Sequence, residues 1–125
     1  MEEKTRMNKR SLGGKWESYA ASKLTEAGLY VICMNFRCRI GEIDIIALDG
    51  DYLVFVEVKS RRSKRSGNPL EAVTLYKQNR IRRVAGFFLI SNDLRSDTPC
   101  RFDVFGIETD ITSENIKECW IKNAF

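Results

Sequence analysis

Hydrophobic residues along the chain predict a helix, three strands, a second helix and a further strand, in that order. Apolar residues recur at helical spacing from Ser11 to Ala27, and Gly28 suits the end of that helix. These apolar positions are Leu12, Trp16, Tyr19, Ala20, Leu24 and Ala27. The run from Tyr30 to Phe36 (YVICMNF) reads as the first strand. This order is typical of an α+β or α/β fold, with a mixed sheet flanked by helices.

The stretch from Gly41 to Ser60 predicts an antiparallel hairpin. Two apolar runs flank the turn residues Asp49-Gly50-Asp51, and both runs are nearly continuous. Such runs indicate strands that are covered on both faces. Together with the preceding strand, the hairpin would form an antiparallel meander.

Three charged residues, Asp44, Glu57 and Lys59, interrupt the hairpin's apolar runs and share one face if side chains alternate. With Gly50-Asp51 as the loop, Asp44 lies opposite Glu57 and Glu42 lies opposite Lys59. With Asp49-Gly50 as the loop, Glu57 lies opposite Glu42. The first register is favoured because Glu42 and Lys59 then attract each other. The paired carboxylates Asp44 and Glu57 must then share a proton or bind a cation.

The segment from Asn68 predicts the second helix, with Asn68 as N-cap, Pro69 at the first position and an end near Ile90. Lys77 interrupts its apolar face, so it either points at the hairpin's charged face or extends past the core edge to solvent. The polar run 61–68 before it predicts a flexible loop. Residues 101–108 predict another strand, and the ending from Ser113 to Phe125 fits either a short helix or irregular structure.

The composition limits the kinds of catalytic and metal site that the chain can form. The chain has 125 residues and no histidine, which excludes histidine-dependent triads and the usual histidine-containing zinc sites. Any metal would have oxygen ligands, which suits Mg²⁺ or Mn²⁺. The first ten residues read as a flexible basic arm, and residues 11–125 as a single domain. No apolar run is long enough for a membrane span and no secretory signal is present, so we expect a cytoplasmic protein with reduced cysteines.

The positive charge is unevenly distributed. Residues 1–92 carry 17 Lys and Arg against 10 Asp and Glu, whereas residues 93–125 carry four against seven. Two clusters, 59–65 (KSRRSKR) and 77–83 (KQNRIRR), hold much of the excess. They could be solvated surface, but beside a carboxylate pair they favour a phosphate-bearing polymer as partner. The candidate nucleic-acid-binding residues are Arg61, Arg62, Lys64, Arg65, Lys77, Arg80 and Arg83.

The carboxylate–lysine set resembles a known nuclease motif. Asp44, twelve intervening residues and then Glu57-Val58-Lys59, followed by a helix with Lys77-Gln78, is similar to the PD-(D/E)xK motif of restriction-endonuclease-like nucleases. The longer strings GEIDIIALDGDYLVFVEVKSR, GNPLEAVTLYKQNRIRR, RFDVFGI and the closing NAF resemble the YraN-like family of bacterial proteins. The resemblance covers residues 12–125.

The resemblance implies a restriction-endonuclease-like core, similar to that of archaeal Holliday-junction resolvases. It places Asp44, Glu57 and Lys59 at the motif positions, with Glu17 as the matching first-helix glutamate and Gln78 as the helix residue. All five are therefore candidate catalytic residues, and Asp44, Glu57 and Glu17 are candidate metal ligands. Junction-cutting enzymes of this fold act as dimers, so a homodimer is the corresponding expectation.

Two functional hypotheses follow. The first is a Mg²⁺- or Mn²⁺-dependent endonuclease that hydrolyses phosphodiester bonds in DNA, including branched or structured DNA. The alternative is a module of the same fold that binds nucleic acid without cutting it and acts as a partner in DNA repair or recombination.

Overall fold

One five-stranded sheet with a helix on each face forms the framework of the computed structural model, which describes residues 11–62, 69–110 and 115–125. The helices are α1 (Ser11–Glu26) and α2 (Leu75–Ser91), and a 3-10 helix (Pro69–Ala72) precedes α2. The strands are β1 (Tyr30–Arg37), β2 (Glu42–Asp49), β3 (Tyr52–Arg62), β4 (Cys100–Thr109) and β5 (Ile116–Ile121). The predicted mixed sheet that begins with an antiparallel meander and is flanked by helices is confirmed.

The strands lie side by side in chain order. All neighbours are antiparallel except β3 and β4, which are parallel and are connected through α2. Asp49 lies opposite Tyr52, so Gly50-Asp51 forms the hairpin loop and the favoured register is confirmed. Gly50 has a φ of 60°, a conformation that glycine adopts without steric cost.

The alternating side chains of β3 divide the core into two layers. Leu53 and Phe55 pack with residues of α2, whereas Val54 and Val56 pack with residues of α1. The central strands are therefore covered on both faces, which explains why the hairpin sequence is almost continuously apolar. A polar side chain in these strands must find a partner within the protein.

In β1 and β2, the alternation of side chains between the two faces of the sheet reverses at Asp44. Met34 and Ile45 face the α1 layer, whereas the next paired residues, Phe36 and Ile43, face the α2 layer. Between these two pairs, Asn35 has a φ of 55°, in the left-handed region. Asp44 thus occupies an irregular position that strict alternation along the hairpin does not describe.

The first residues of α2 lie further along the chain than the sequence pattern predicted. Thr74 caps the helix, and its hydroxyl accepts a hydrogen bond from the Lys77 backbone N–H at 3.2 Å. Pro69 instead begins the 3-10 helix, where its ring lies so close to Gly106 of β4 that a Cβ there would be 2.4 Å from Cγ of the proline. The 3-10 helix thus packs against β4 and is separate from α2.

One further boundary differs from the prediction. Strand β3 continues through Arg62 because it pairs with β4 up to the Arg62–Thr109 pair, so residues 61 and 62 belong to a strand and not to a loop. The rest of the predicted loop, the predicted N-cap Asn68 and the predicted arm at residues 1–10 lie outside the described residues. Within the described part of the chain, no helix is both long and apolar enough to cross a membrane. All four cysteines are free thiols.

The prediction for the C-terminal segment was wrong. It is neither a helix nor irregular throughout, because residues 116–121 form β5, which pairs antiparallel with β4. The exposed edge of β4 supplies the hydrogen-bonding partners that a weakly patterned sequence does not reveal. The last residue, Phe125, stacks on Phe102 with ring centroids 5.3 Å apart.

A buried carboxylate fastens this segment to the sheet. Asp103 is fully buried and accepts two hydrogen bonds from Arg101, at 3.0 Å each. It also accepts one from Trp120 Nε1 and one from the Asn123 backbone N–H, both at 2.9 Å. Arg101 in turn donates to Asp49 at 2.9 Å, so one network links the hairpin turn, β4 and the C-terminus. All the ionic groups of this network are paired, which is what burial of a charge requires.

Removal of the Asp103 charge should therefore destabilise the protein. We expect Asp103→Asn to lower the free energy of unfolding by about 3 kcal/mol, because Arg101 loses its buried partner. Urea unfolding followed by circular dichroism measures the change. The matched control is Asp97→Asn, which removes an exposed carboxylate that is also paired with an arginine, Arg95, and should barely move the midpoint. Equal midpoints for the two variants would contradict the structural role of Asp103.

Candidate functional site

A pocket of about 450 Å³ lies where β1, β2 and β3 meet the first half of α2. Both acidic and basic side chains line it, together with apolar residues of α2 and of the β1–β2 turn. The lining residues are Arg37, Cys38, Gly41, Glu42, Asp44, Glu57, Lys77, Arg80 and Ile81. It contains both carboxylates of the predicted site, so Asp44 and Glu57 do converge.

Asp44 is almost completely buried at this position. Its Oδ2 accepts a hydrogen bond of 2.8 Å from the Val58 backbone N–H, just beyond the last regular pair of β2 with β3. Burial raises the pKa of Asp44, the negative charge of Glu42 raises it further, and the hydrogen bond from Val58 opposes both effects. A side-chain hydrogen bond also joins Asp44 to Glu17, so Glu17 faces the sheet.

Glu57 lies in the same pocket, with only 18% of its side chain exposed. Burial raises the pKa of Glu57 to about 7, and the nearby negative charge of Asp44 contributes to this rise. Lys59 opposes it, since its Nζ lies 3.5 Å from Glu57 Oε2. The predicted attraction between Lys59 and Glu42 is not the pairing adopted, because Glu42 forms an ion pair with Arg37 at 2.9 Å.

Lys77 joins this group from α2. It lines the pocket together with Asp44 and Glu57. The charge of the Lys59 ammonium lowers the pKa of Lys77. Of the two orientations left open by the sequence, Lys77 therefore points at the charged face of the hairpin. Lys59 also borders a second cavity, of about 330 Å³, between the 3-10 helix and strands β4 and β5.

The other helix residue, Gln78, points elsewhere. Its side-chain amide donates to the Val73 carbonyl oxygen at 3.0 Å, across the junction between the 3-10 helix and α2. In this arrangement the Gln78 side chain bonds to the backbone just before α2 and is not directed at the carboxylates.

The predicted basic residues are not all gathered in one place. Arg80 lines the pocket, whereas Arg83 is exposed on α2 and Arg61 and Arg62 are exposed at the end of β3. Lys64 and Arg65 lie outside the described residues. The sequence analysis missed Arg37, which forms part of the pocket wall. Nothing in its local pattern marks it, because only the β1–β2 pairing brings it beside Glu42.

The donor atoms of the pocket suit a hard cation. Mg²⁺ is commonly held by one or two carboxylates and keeps several of its water ligands, and Asp44 and Glu57 supply two such carboxylates in one pocket. Across the parts of the chain that the structure describes, no three His, Cys, Asp or Glu side chains are grouped closely enough to hold a metal ion together. Asp44 and Glu57 would therefore be the two protein ligands of such an ion, and Glu17 is hydrogen-bonded to Asp44.

Fold and site together define an α+β protein with a single mixed sheet between two helices and a pocket lined by carboxylates, one lysine and two arginines. A family model described as "Uncharacterised protein family UPF0102" matches residues 16–107. The chain belongs to this family, which confirms the predicted YraN-like membership.

Curated relatives carry the same family name. The UPF0102 protein of Lachnoclostridium phytofermentans is 47% identical over 119 residues, which cover 95% of this chain and 96% of that protein. The one from Colwellia psychrerythraea is 48% identical over 110 residues, covering 87% and 84%. The one from Caldicellulosiruptor saccharolyticus is 43% identical over 119 residues, covering 95% and 100%.

Glu57 should make the stability of the metal-free protein fall as the pH rises. Its pKa is about 7 in the folded state and 4.5 as the ordinary value, so the folded state binds a proton more tightly. The resulting stabilisation is complete below pH 4.5 and is lost as the pH rises through 7. We expect Glu57→Gln to remove this loss and to be more stable than the parent at pH 8.5, by up to about 3 kcal/mol.

The measurement is urea unfolding in EDTA at pH 5 and at pH 8.5. Glu71→Gln, which removes an exposed carboxylate from the 3-10 helix, is the control and should follow the parent at both values. If the difference between Glu57→Gln and the parent were the same at both pH values, the burial of an ionised Glu57 would not be costly.

Proposed function

We propose that this protein is a divalent-metal-dependent endonuclease that hydrolyses phosphodiester bonds in DNA, with branched or structured DNA among its substrates. The proposal rests chiefly on one observation: Asp44 and Glu57 line one pocket with Lys77 and Arg80, and Lys59 lies 3.5 Å from Glu57. Two repelling carboxylates beside several cationic side chains match the needs of a site that takes a metal ion and a phosphate together.

In this proposal Asp44 and Glu57 hold Mg²⁺ or Mn²⁺, which when bound polarises a phosphate oxygen and lowers the pKa of a water molecule. Val58 and Glu17 orient the Asp44 carboxylate through their hydrogen bonds. Lys59 is placed to orient the attacking water or to balance negative charge that develops on the phosphate. Asp44 and Glu57 are themselves largely shielded from water, which would strengthen their interaction with a bound cation.

Lys77 and Arg80 have a separate role in binding. Both are cationic side chains of the pocket wall, and Arg80 belongs to the exposed helical surface that continues to Arg83. Phosphates that bind at Lys77 and Arg80 would lie beside the carboxylates, while Arg61 and Arg62 extend the basic surface along β3. This distribution of charge supports a polymer of phosphates as the partner.

The direct test is cleavage. We expect the purified protein to cut at least one labelled substrate among branched, single-stranded and duplex DNA when Mg²⁺ or Mn²⁺ is present. Asp44→Ala should reduce the rate by about a hundredfold or more, because it removes a metal ligand worth several kcal/mol in the transition state. Asp51→Ala, which removes an exposed carboxylate from the hairpin turn, is the matched control. Metal-dependent products from none of the substrates would count against catalysis.

Cation binding can be tested without activity. We expect Mg²⁺ or Mn²⁺ to raise the melting temperature at pH 8, where a bound cation neutralises the carboxylate pair, and to do so less at pH 5.5, where protons compete. The Asp44→Asn/Glu57→Gln double variant should lose this response, and Asp51→Asn should keep it. A metal response that persists in the double variant would place the ion elsewhere.

A second candidate function is binding without cleavage. It is favoured by the ion pair between Lys59 and Glu57, which gives Glu57 a partner from within the protein. As a non-cutting module, the protein would bind DNA with an affinity that falls steeply with salt. Glu57→Gln would leave that affinity intact, and the parent protein would yield no products in the cleavage assay.

A further inference from the structure

An exposed aromatic residue lies directly before Lys77 of the candidate pocket in the chain. Tyr76, in the first turn of α2, is 71% exposed, and its neighbour Leu75 is 69% exposed. Large apolar side chains at the start of a helix gain nothing for folding when they remain in water. Together they form a small apolar surface next to the charged pocket, which a ligand bound there could cover.

Arg80 connects this aromatic ring to the pocket. Its guanidinium lies 5.3 Å from the centroid of the Tyr76 ring, in cation–π contact, and the same side chain lines the pocket that contains Asp44 and Glu57. Tyr76, Arg80 and Arg83 follow the i, i+4, i+7 spacing, so they form one stripe along the helix. We call these three residues the Tyr76 stripe.

The chemistry of the stripe suits a particular ligand. A flat aromatic ring offers a stacking surface to a nucleobase of any sequence, and the neighbouring arginines attract the phosphates on either side of that base. A base inside a duplex is already stacked and cannot present its face to a side chain, whereas an unpaired or splayed base can.

We propose that Tyr76 is a stacking platform for an unpaired base next to the phosphate held in the pocket, and that the preferred substrate is single-stranded or splayed nucleic acid. This inference rests on the proposed function, since it names the substrate class of the same site. Tyr76 acts in binding and positioning. Because the Arg80 side chain contacts the Tyr76 ring and also lines the pocket, neighbouring side chains hold the stacked base and the adjacent phosphate.

The test is fluorescence anisotropy in EDTA, which measures binding without metal-dependent hydrolysis. The probes are a labelled single strand, a splayed duplex and a blunt duplex. Tyr76→Ala should weaken binding of the single strand and the splayed duplex by about tenfold, with less than about a twofold effect on the blunt duplex. Tyr76→Phe keeps the ring and should behave as the parent. Tyr52→Ala, which removes another exposed tyrosine (48% exposed) from the hairpin turn, should also behave as the parent.

An abasic scan of the splayed strand separates stacking from charge. Removing the base at one position should weaken binding of the parent and have no additional effect on Tyr76→Ala, since the two partners of one contact are not additive. If Tyr76→Ala binds the single strand and the splayed duplex as the parent does, or loses equal affinity for all three probes, the stacking platform is overturned even if the parent cuts DNA. If the parent binds none of the probes at low salt in EDTA, the stacking platform is also overturned, and the metal-dependent cleavage assay decides the proposed function separately.

Discussion

The repulsion between two buried carboxylates is the constraint on which the functional part of this structure depends. Asp44 and Glu57 line one pocket, and burial together with their mutual proximity makes ionisation of both unfavourable. Two groups offset the cost of ionisation: the Val58 N–H donates a hydrogen bond to Asp44, and the Lys59 ammonium pairs with Glu57. A fold that needed these positions only for stability would have kept them apolar, as their neighbours in β2 and β3 are.

The framework around the pocket explains how such a site can be maintained. The hairpin strands are buried on both faces by α1 and α2, which fixes the backbone that carries both carboxylates. On the neighbouring strand β4, Asp103 pairs with Val56 and accepts hydrogen bonds from Arg101, Trp120 and Asn123. The two buried aspartates thus differ in kind. Asp103 has a full set of partners and an evident structural role, whereas Asp44 faces another carboxylate across a pocket.

The basic residues lie in different places and therefore have different contacts. Lys59 and Lys77 lie against the carboxylates, and Arg80 connects the pocket to the exposed side of α2. Arg82 lies on another side of the same helix, 5.2 Å from the centroid of the Phe125 ring, where it covers the C-terminal residue. One basic segment of sequence therefore serves both the candidate site and the packing of the C-terminus.

The sequence by itself determined the hairpin and its register, because turn chemistry and period-two alternation are local properties of the chain. It also predicted that Asp44 and Glu57 converge, but Asp44 lies where the alternation of β2 reverses, which alternation alone does not describe. It also determined that both faces of the sheet are covered, since the apolar runs are almost unbroken. The family resemblance, which the comparisons confirm, was equally a matter of local residue order.

Only the tertiary structure decided the rest. Helix α2 begins after Thr74 and not at Pro69, which starts a separate 3-10 helix packed against Gly106, and β5 pairs with the edge of β4. The contact of Pro69 with Gly106 joins residues more than thirty positions apart. The edge of β4 exists only once the sheet has formed, and no local pattern predicts it. The same holds for Lys77 and for the Tyr76 ring beside Arg80, since the direction of a helix face is set by what the helix packs against.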